Sequence, residues 1–389
     1  MSTMPDIAAA EHELAEIFED LHAHPEIGFE ETRTAGIVAE RLRAWGVDEV
    51  HTGLGGTGVV GLIRGKGAGN RCVALRADMD ALPIEEQSGL SYASQNAGAM
   101  HACGHDGHTT MLLGAAKYLA ATRDFDGTAM LVFQPAEEGL GGARRMLAEG
   151  LFERFPCDEI YGMHNNPMAE PGQLSLIKGP AMAGAQFFDI TVRGQGSHAA
   201  MPHQSRDALM IAAALVGQVQ TVVSRNVPAT ETCVVSVTQI HSGSAYNVVP
   251  GEARLSGTIR YFNDAMRDLT EERIAALCQG AAVAYGVEVE FDSRNIFDVL
   301  VNDADLSDAY MEAARDVLGA ENVSEKTTPV TGSEDFADML KVVPGAYCTL
   351  GHSGSTPLHN PGFVLGKEIL PVGASVLARI VEKRLPLGQ

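Results

Sequence analysis

Short apolar runs that alternate with helical patterns constrain the fold of this chain more than any other feature of its sequence. Parallel strands need a helix to cross from one to the next, and strands covered on both faces are apolar throughout. Both properties occur in the first part of the chain, so we predict an α/β fold with a mainly parallel sheet covered by helices. The predicted strands are Gly58–Ile63, Cys72–Ala77, Thr128–Phe133 and Glu159–Met163, and the helical patterns lie at about 7–22, 30–45, 110–120 and 141–149.

The pattern changes near residue 185, where a second set of elements begins. Strands at 187–192, 232–240, 253–260 and 287–291, with helices at 205–224 and about 265–285, follow the order β-α-β-β-α-β. That order is typical of a ferredoxin-like unit. Helical patterns of the first kind return near 304–318, 334–341 and 367–384. Because 389 residues are too many for one ordinary core, we predict a discontinuous large domain (1–184 and 295–389) with a small domain (185–294) inserted into it.

The charge balance and the cysteines limit the classes of partner and the compartment. With 28 Lys and Arg against 50 Asp and Glu, the net charge is −22, which argues against nucleic acid or an anionic membrane as a partner. The first residues show no signal peptide, and the longest apolar run, Met210–Val216, is too short to span a bilayer. The six cysteines have no disulfide-framework spacing, so we expect a cytoplasmic protein.

The segment His101–His108 reads HACGHDGH and concentrates potential metal ligands in eight residues. Imidazole nitrogen and thiolate sulfur are the donors that Zn²⁺ and similar ions prefer. A helical pattern begins at Thr110, so we expect the segment to be a loop that opens a helix. Residues two apart in an extended loop point the same way, and Cys103 and His105 could therefore share one site.

The ends of the predicted strands carry further potential ligands, and ligands of open parallel sheets bind at that edge. Taken singly, an acidic residue after a strand is often a helix cap, and a single histidine is more often hydrogen-bonded than metal-bound. Because such residues follow several strands, we predict a metal site there. The residues concerned are Asp78, Asp80, Glu137, Glu138, His164 and, in a loop near the C-terminus, His359.

The adjacent carboxylates Glu137 and Glu138 suggest two separate roles. Neighbouring side chains point in different directions, so one carboxylate could bind metal while the other stays free beside the attacking water. A free glutamate there would act as general base and later hand its proton to a leaving amine. The ordinary alternative is a pair of solvated acids before a helix.

Six motifs together, in matching order, resemble the M20 metallopeptidase family, and most closely the branch of hippurate hydrolase and the indoleacetyl–amino acid hydrolases. The resemblance begins at Leu21–Phe29, reading LHAHPEIGF, and extends over nearly the whole chain. The motifs are HACGHDGH at 101–108, QPAEEG at 134–139, GMHN at 162–165, GSHA at 196–199, GSEDF at 332–336 and LHNPGF at 358–363.

The resemblance implies a catalytic α/β domain with two divalent metal ions, of which Zn²⁺ or Mn²⁺ are expected first and Co²⁺ or Ni²⁺ are possible. It implies Glu137 as the general base and the ligands Cys103, His105, Glu138, His164 and His359. In the wider family an aspartate two residues after a ligand histidine orients that histidine. Here the segment is Asp78-Met-Asp80, with an aspartate at the histidine position, so a structural and an orienting role for Asp80 both stay open.

The same resemblance implies that the inserted domain is a ferredoxin-like lid that also forms a homodimer or higher homo-oligomer. His198, from this subunit or its partner, would stabilise the oxyanion. Asn247 and Arg260 would hold the carboxylate of the substrate, to which a planar guanidinium is well suited. Without the family, a surface ion pair is the better interpretation of Arg260.

The expected function is metal-dependent hydrolysis of the amide bond of N-acyl-L-amino acids, which are small-molecule substrates. Two divalent ions would activate a water, Glu137 would take its proton, and closure of the lid would exclude bulk water. A dipeptidase or carboxypeptidase of the same fold is the first alternative, and a non-catalytic metal-binding protein is a remote one. The preferred acyl group, amino acid and metal stay open.

Overall fold

The chain folds into two compact units within residues 3–388, which the computed structural model describes. The larger unit consists of the residues up to Ala181, Val301–Pro329 and the chain from Asp335 onward. The smaller unit consists of Met182–Leu300 and Val330–Glu334. Each unit has its own buried apolar core.

The smaller unit begins at Met182 and its main part ends at Leu300, where the sequence predicts 185 and 294. The predicted end at 294 falls inside a strand that continues to Phe297. The short segment 330–334 is not expected there from the sequence. It belongs to the smaller unit because the Ala183 N–H lies 3.1 Å from the Val330 carbonyl oxygen and 2.9 Å from that of Gly332.

The elements from the N-terminal part of the chain to the junction with the smaller unit come first. The helices are α1 (Pro5–Ala8), α2 (Glu11–Ala23), α3 (Thr32–Ala44), α4 (His105–Thr122), α5 (Gly142–Ala148) and α6 (Leu151–Arg154). The strands are β1 (Glu49–Leu54), β2 (Gly58–Arg64), β3 (Cys72–Asp78), β4 (Thr128–Gln134), β5 (Glu159–Asn166), β6 (Leu174–Ile177) and β7 (Gly179–Met182).

The remaining elements follow in chain order. They are β8 (Gly184–Arg193), β9 (Ser197–His198), α7 (Ala208–Arg225), β10 (Cys233–Ser242), β11 (Val248–Val249), β12 (Glu252–Tyr261), α8 (Asp264–Tyr285) and β13 (Glu288–Phe297). They continue with β14 (Leu300–Asn302), α9 (Ala304–Leu318), β15 (Val323–Lys326), α10 (Phe336–Leu340), β16 (Gly345–Gly351) and α11 (Leu370–Arg384).

The larger unit is built on an eight-stranded sheet in the order β1-β2-β4-β3-β5-β16-β6-β15. Four strands run parallel to one another, namely β4, β3, β5 and β16. The antiparallel pairs are β1 with β2, β2 with β4, and β6 with β16. Every residue of β3 is buried, as expected of a strand covered on both faces. The predicted α/β fold is therefore confirmed, and the carboxyl ends of β3, β4 and β5 lie at one edge.

The smaller unit has the predicted β-α-β-β-α-β order. Its four long strands form an antiparallel sheet in the order β10-β12-β8-β13, and α7 and α8 pack on that sheet. The first and third strands of the motif are thus central, as in a ferredoxin-like unit. Phe188, Ile190 and Leu255 contribute to the core between the sheet and the helices.

Helix α7 corrects one expectation from the sequence. By length and composition this 18-residue helix is a candidate membrane span, so an apolar segment of sufficient length does exist. This is weak evidence, because a core helix passes the same test. Ile211, Leu215, Val219 and Val222 are buried at helical spacing on one face and belong to the core of the smaller unit.

Two helix boundaries differ from the predictions. The pattern at 7–22 is two helices, α1 and α2, rather than one. Helix α4 begins at His105, five residues before the apolar pattern that predicts it. His105, Asp106 and His108 therefore lie in the first turn of a helix instead of an extended loop. The spacing argument for Cys103 and His105 was wrong in its geometry, although the two side chains do meet.

Candidate metal centre

The structure brings the five predicted metal ligands together in two overlapping groups at the sheet edge of the larger unit. The ligand atoms of Cys103, His105 and His164 lie within 4.8 Å of one another, and so do those of Cys103, Glu138 and His359. Cys103 belongs to both groups, so its sulfur would be available to an ion held by either group. The Cys103 sulfur lies 3.4 Å from His164 Nε2.

Cys103 reaches this position because of the residue that follows it. Gly104 is the N-cap of α4 and has a φ of 94°, a left-handed conformation that glycine adopts without strain. A Cβ at this position would also collide with the side chain of Asn165. This sharp turn puts Cys103 before the helix and His105 in its first turn, both facing the same site.

Asp80 orients one ligand and holds the backbone of another. His105 Nδ1 lies 2.9 Å from the Asp80 carbonyl oxygen and 3.1 Å from its Oδ1, so the Nδ1–H donates there and Nε2 faces the ligand group. Asp80 Oδ2 accepts the Glu138 N–H at 3.0 Å. Of the two roles left open by the sequence, the structure supports the orienting one, which is usual around bound metals.

The other two histidines are oriented by backbone groups. His164 Nδ1 donates to the carbonyl oxygen of Asn165 at 2.7 Å, which directs Nε2 toward Cys103. The N–H of His359 donates to the carbonyl oxygen of Ala102 at 2.8 Å. His359 Nε2 lies 3.2 Å from Glu138 Oε1, and the His359 side chain is 52% exposed. His359 therefore marks the solvent-facing side of the site.

Glu137 lies beside the ligand groups but is held separately from Glu138. Its Oε1 accepts the Asp335 N–H at 3.4 Å, and its Oε2 lies 4.0 Å from His105 Nε2. The preceding residue, Ala136, has a left-handed φ of 54°. One oxygen of each adjacent carboxylate lies within 4.8 Å of the other and of a His105 ring nitrogen, so both acids face the same site.

The donor atoms fit divalent cations. One of the expected ligand atoms, His105 Nε2, is buried and makes no hydrogen bond within residues 3–388. A buried polar atom without a partner is costly unless a ligand satisfies it. Burial lowers the pKa of His164 to about 4, which leaves the neutral imidazole that metals bind, and raises the pKa of the Cys103 thiol to about 12. Metal binding at Cys103 must therefore displace a proton.

A third group of suitable residues, Asp78, His105 and His108, is not arranged to hold an ion. His108 Nδ1 donates to Asp78 at 2.6 Å, and His108 Nε2 accepts the Asn165 N–H at 3.0 Å, so both ring nitrogens are engaged. The buried Arg76 guanidinium lies 2.7 Å from Asp78 Oδ2 and opposes a second cation there. Asp78 and His108 support the site rather than bind metal.

The sequence reasoning missed the network around Arg76. This residue is buried in β3 and donates to Asp78, to Gln134 at 2.9 Å and to Asp335 at 3.2 Å. Asp335 in turn supplies the N–H that holds Glu137. An arginine inside an otherwise apolar strand was the available signal, since a buried guanidinium needs carboxylate partners.

His101 is the one imidazole of the His101–His108 segment without a defined role. It is buried, belongs to none of the ligand groups, and neither ring nitrogen makes a hydrogen bond within the described part of the chain. Burial lowers its pKa to about 4. Its ring lies 6.4 Å from that of His22.

The structure also places the three predicted residues of the smaller unit. His198 in β9 pairs with Val248, and the Ala199 N–H donates to the Asn247 carbonyl oxygen at 3.0 Å, so His198 and Asn247 are neighbours. Both are exposed. Arg260 lies near the end of β12, and its Nη1 donates to the Ser333 hydroxyl at 2.6 Å. Its partner is thus a neutral hydroxyl instead of the carboxylate of a surface ion pair.

Comparison with known proteins finds a family match over most of the chain. Residues 74–383 match peptidase family M20/M25/M40. The chain is 39% identical to hippurate hydrolase of Campylobacter jejuni, over 99% of this chain and 100% of the relative. It is 36% identical to N-acetylcysteine deacetylase of Bacillus subtilis (93% and 94% covered) and 36% identical to thermostable carboxypeptidase 1 of Saccharolobus solfataricus (97% of each).

Solved structures with similar folds include one described as a metal-binding enzyme. The crystal structure of a dinuclear metal-binding peptidase of the M20 family from Bacillus subtilis has a TM-score of 0.84 at 32% identity, over 97% of this chain and 99% of the other. That of a candidate aminohydrolase from methicillin-resistant Staphylococcus aureus has a TM-score of 0.90 at 33% identity, over 97% and 98%.

Proposed function

The chain belongs to peptidase family M20/M25/M40, and from this premise we propose that it hydrolyses the amide bond of N-acyl-L-amino acids with two divalent metal ions as cofactors. One observation carries the proposal. Cys103 is shared by two groups of ligand atoms, and the carboxylate of Glu137, which belongs to neither of these two groups, lies beside them with Oε2 4.0 Å from His105 Nε2. Hydrolysis needs this combination of ligands and a separate base.

The divalent ions, when bound, lower the pKa of a water and polarise the carbonyl of the scissile amide. Glu137, whose Oε1 accepts the Asp335 N–H, would take the proton from the attacking water. Its carboxyl group would then return the proton to the departing amino nitrogen. Asp80 and Asp335 keep the ligand and the base in place during both transfers.

The smaller unit is proposed to supply the contacts to the substrate. His198 would donate a hydrogen bond to the developing oxyanion, and Arg260 with Asn247 would bind the α-carboxylate. The half-buried Arg260 with a neutral hydroxyl partner supports this role, since its charge is not neutralised by an acid. An unneutralised guanidinium favours a bidentate carboxylate ligand.

A carboxypeptidase or dipeptidase activity is the second candidate. It is favoured by the identity of 36% to thermostable carboxypeptidase 1, over 97% of each chain. Both activities cleave an amide bond next to a free α-carboxylate and differ only in the group on the other side of the bond. The metal centre described above would serve either one.

A substrate panel on metal-reconstituted protein tests the proposal. N-benzoyl and N-acetyl derivatives of several amino acids are compared with dipeptides of the same C-terminal residues, by kcat/KM. We expect higher kcat/KM for the N-acyl compounds. Higher values for dipeptides would support the second candidate, and no turnover of either set would reject both.

The role of Arg260 is tested with acid and amide forms of one substrate. The Arg260→Ala variant is expected to raise KM about tenfold or more for N-acyl-amino acids and much less for their α-amides, because only the carboxylate offers a charged partner. An equal change for both forms would show that Arg260 is structural.

Three finer points are part of the proposal. Thiolate, imidazole and carboxylate donors suit Zn²⁺ and Mn²⁺ first, with Co²⁺ and Ni²⁺ as substitutes, and metal analysis of the purified protein identifies the ion.

Homodimerisation through the smaller unit is supported by its exposed edge strand β10 and is tested by analytical ultracentrifugation. A cytoplasmic location is supported by the six unpaired cysteines and is tested by cell fractionation.

A further inference from the structure

The segment Pro25–Glu31, which overlaps the N-terminal motif Leu21–Phe29, has no role in the mechanism above. In the structure it runs between two loops of the metal centre. The Glu26 carbonyl oxygen accepts the Ala81 N–H at 2.8 Å, and Ile27 forms a parallel bridge with Ala81. Ala81 directly follows Asp80, which orients His105.

The other end of the segment contacts the turn that carries the base. Glu31 is fully buried, and its Oε1 accepts the Ala136 N–H at 2.8 Å. Its Oε2 accepts the hydroxyl of Thr57 at 2.6 Å. Ala136 immediately precedes Glu137 and Glu138.

This turn needs such a contact because its conformation is unfavourable. Ala136 has a φ of 54°, a left-handed backbone that costs a non-glycine residue free energy. The buried N–H would be unsatisfied without an acceptor. The hydrogen bond to Glu31 compensates for both, and it is charge-assisted when the carboxylate is ionised.

Packing from the same segment restrains the turn from a second side. A Cβ on Gly28 would lie 2.9 Å from the Ala136 Cβ and 2.7 Å from Leu140 Cδ1. The backbone at Gly28 thus lies directly against Ala136, and no larger residue fits there unless the turn moves.

We propose that Glu31 is a positioning residue, which fixes the turn at Ala136 and thereby sets where Glu137 and Glu138 point. The inference rests on the proposed function for the role of Glu137, but the placement of Glu138 as a ligand can be tested without turnover. Glu31 belongs to none of the ligand groups found within residues 3–388, and it acts through the backbone of Ala136.

The experiment compares Glu31→Ala with Glu31→Gln in the full-length protein. Glutamine keeps an oxygen acceptor for the Ala136 N–H, and its amide can donate to the Thr57 hydroxyl, whereas alanine removes the acceptor. Co²⁺ is titrated into the metal-free protein, and binding is followed by the thiolate-to-cobalt absorption from Cys103. We expect Glu31→Ala to weaken Co²⁺ binding at the weaker site about 10- to 100-fold and to change the band shape, and Glu31→Gln to stay within about threefold of the parent.

Turnover gives a second measurement. With N-acyl-amino acid substrate at saturating metal, Glu31→Ala is expected to lower kcat about 10- to 100-fold with KM changed less than about threefold, because the base is displaced while the substrate contacts are intact. Glu31→Gln is expected to restore most of kcat.

Glu159→Ala is the matched control for a loss of stability alone. Glu159 is also a buried carboxylate, but it begins β5, at the end opposite to His164, and it is bound by Arg71 and Arg384. This variant is expected to lower the melting temperature and leave the Co²⁺ titration unchanged. If Glu31→Ala does not fold, Gly28→Ala tests the same turn by pushing on Ala136, and weaker Co²⁺ binding is expected there too.

The outcomes separate the inference from the proposed function. If the parent binds Co²⁺ but hydrolyses no N-acyl-amino acid, the proposed function fails, and the titration still decides on Glu31. Parent-like Co²⁺ binding and band shape in Glu31→Ala overturns the inference. The inference is also overturned if Glu31→Gln binds Co²⁺ as weakly as Glu31→Ala, since the charge rather than the hydrogen bond to Ala136 would then matter. Equally weakened Co²⁺ binding in Glu159→Ala would overturn it as well.

Discussion

The expected metal ligands of the larger unit and the expected substrate contacts of the smaller unit differ in how firmly they are held. His105 and Cys103 are buried, and His105 and His164 each have the second ring nitrogen bonded to a fixed acceptor. His198 and Asn247 are exposed. The positions of Cys103, His105 and His164 are therefore set by folding, whereas His198 and Asn247 have more freedom to move.

The two units also differ in how their charged side chains are paired. Around the metal centre, buried carboxylates are matched with named partners, Asp78 with Arg76 and His108, and Asp80 with His105 and the Glu138 N–H. Such a network has little tolerance for change, because an unpaired buried charge is costly. In the smaller unit the surface ion pairs of Arg193 and Arg294 are largely exposed and contribute little stability.

The largest effect is expected from the base in the rigid centre. Glu137→Gln should lower kcat about 10³-fold or more while both metal ions stay bound, because the base acts on the attacking water itself. Kinetics and metal content of the same preparations check this. Glu149→Gln, at an exposed glutamate of the larger unit, is the control. Retained turnover at equal metal content would remove Glu137 from the mechanism.

The next largest effect is expected in the smaller unit. His198→Ala should lower kcat about 10²-fold through loss of the oxyanion contact, with metal content and Co²⁺ binding unchanged. His203→Ala, which removes another exposed histidine of the same unit, is expected to leave kcat unchanged. Loss of metal in His198→Ala would contradict the division between ligands in one unit and substrate contacts in the other.

The contrast between the units also explains how much could be predicted from the sequence. Strand and helix patterns predicted both folds, because apolar periodicity directly reflects burial. They failed at the start of α4, where His105, Asp106 and His108 are buried but polar, so that no apolar pattern marks the first turn. A buried polar turn is recognisable only from its partners, such as Asp80 and Asp78.

The candidate ligands could be named from the sequence, but the residues that orient them could not. Ligands concentrate in motifs and at strand ends, and the family resemblance names them. Arg76 and Asp335 are 259 positions apart in the chain, and Glu31 and Ala136 are 105 apart. Local patterns contain no information on such pairs, and only the three-dimensional fold brings them together.

An intermediate effect is expected from the shared ligand. Cys103→Ala should weaken metal binding about 10- to 100-fold, because the sulfur belongs to both ligand groups. Isothermal titration with Zn²⁺ measures the change. Cys278→Ala, at a buried thiol of the smaller unit, is the control and should bind metal like the parent. Equal affinity in both variants would exclude Cys103 as a ligand.

The smallest effect is expected from His22, which holds the first turn of α4. Its Nδ1 lies 2.7 Å from Asp106 and its Nε2 lies 3.3 Å from Glu86. Burial alone would lower the pKa of His22, but these two carboxylates raise it to about 9 from 6.5. The contribution of His22 to the free energy of unfolding is thus complete below about pH 6.5 and is lost as the pH rises through 9, at about 1 kcal/mol per pH unit.

In the His22→Leu variant this contribution to the pH dependence should disappear, while the exposed control His12→Leu should keep it. Urea unfolding of the metal-free proteins between pH 6.5 and 8.5 measures the slopes, and parallel curves for parent and His22→Leu would show that the turn carrying His105 is not held by this ion pair.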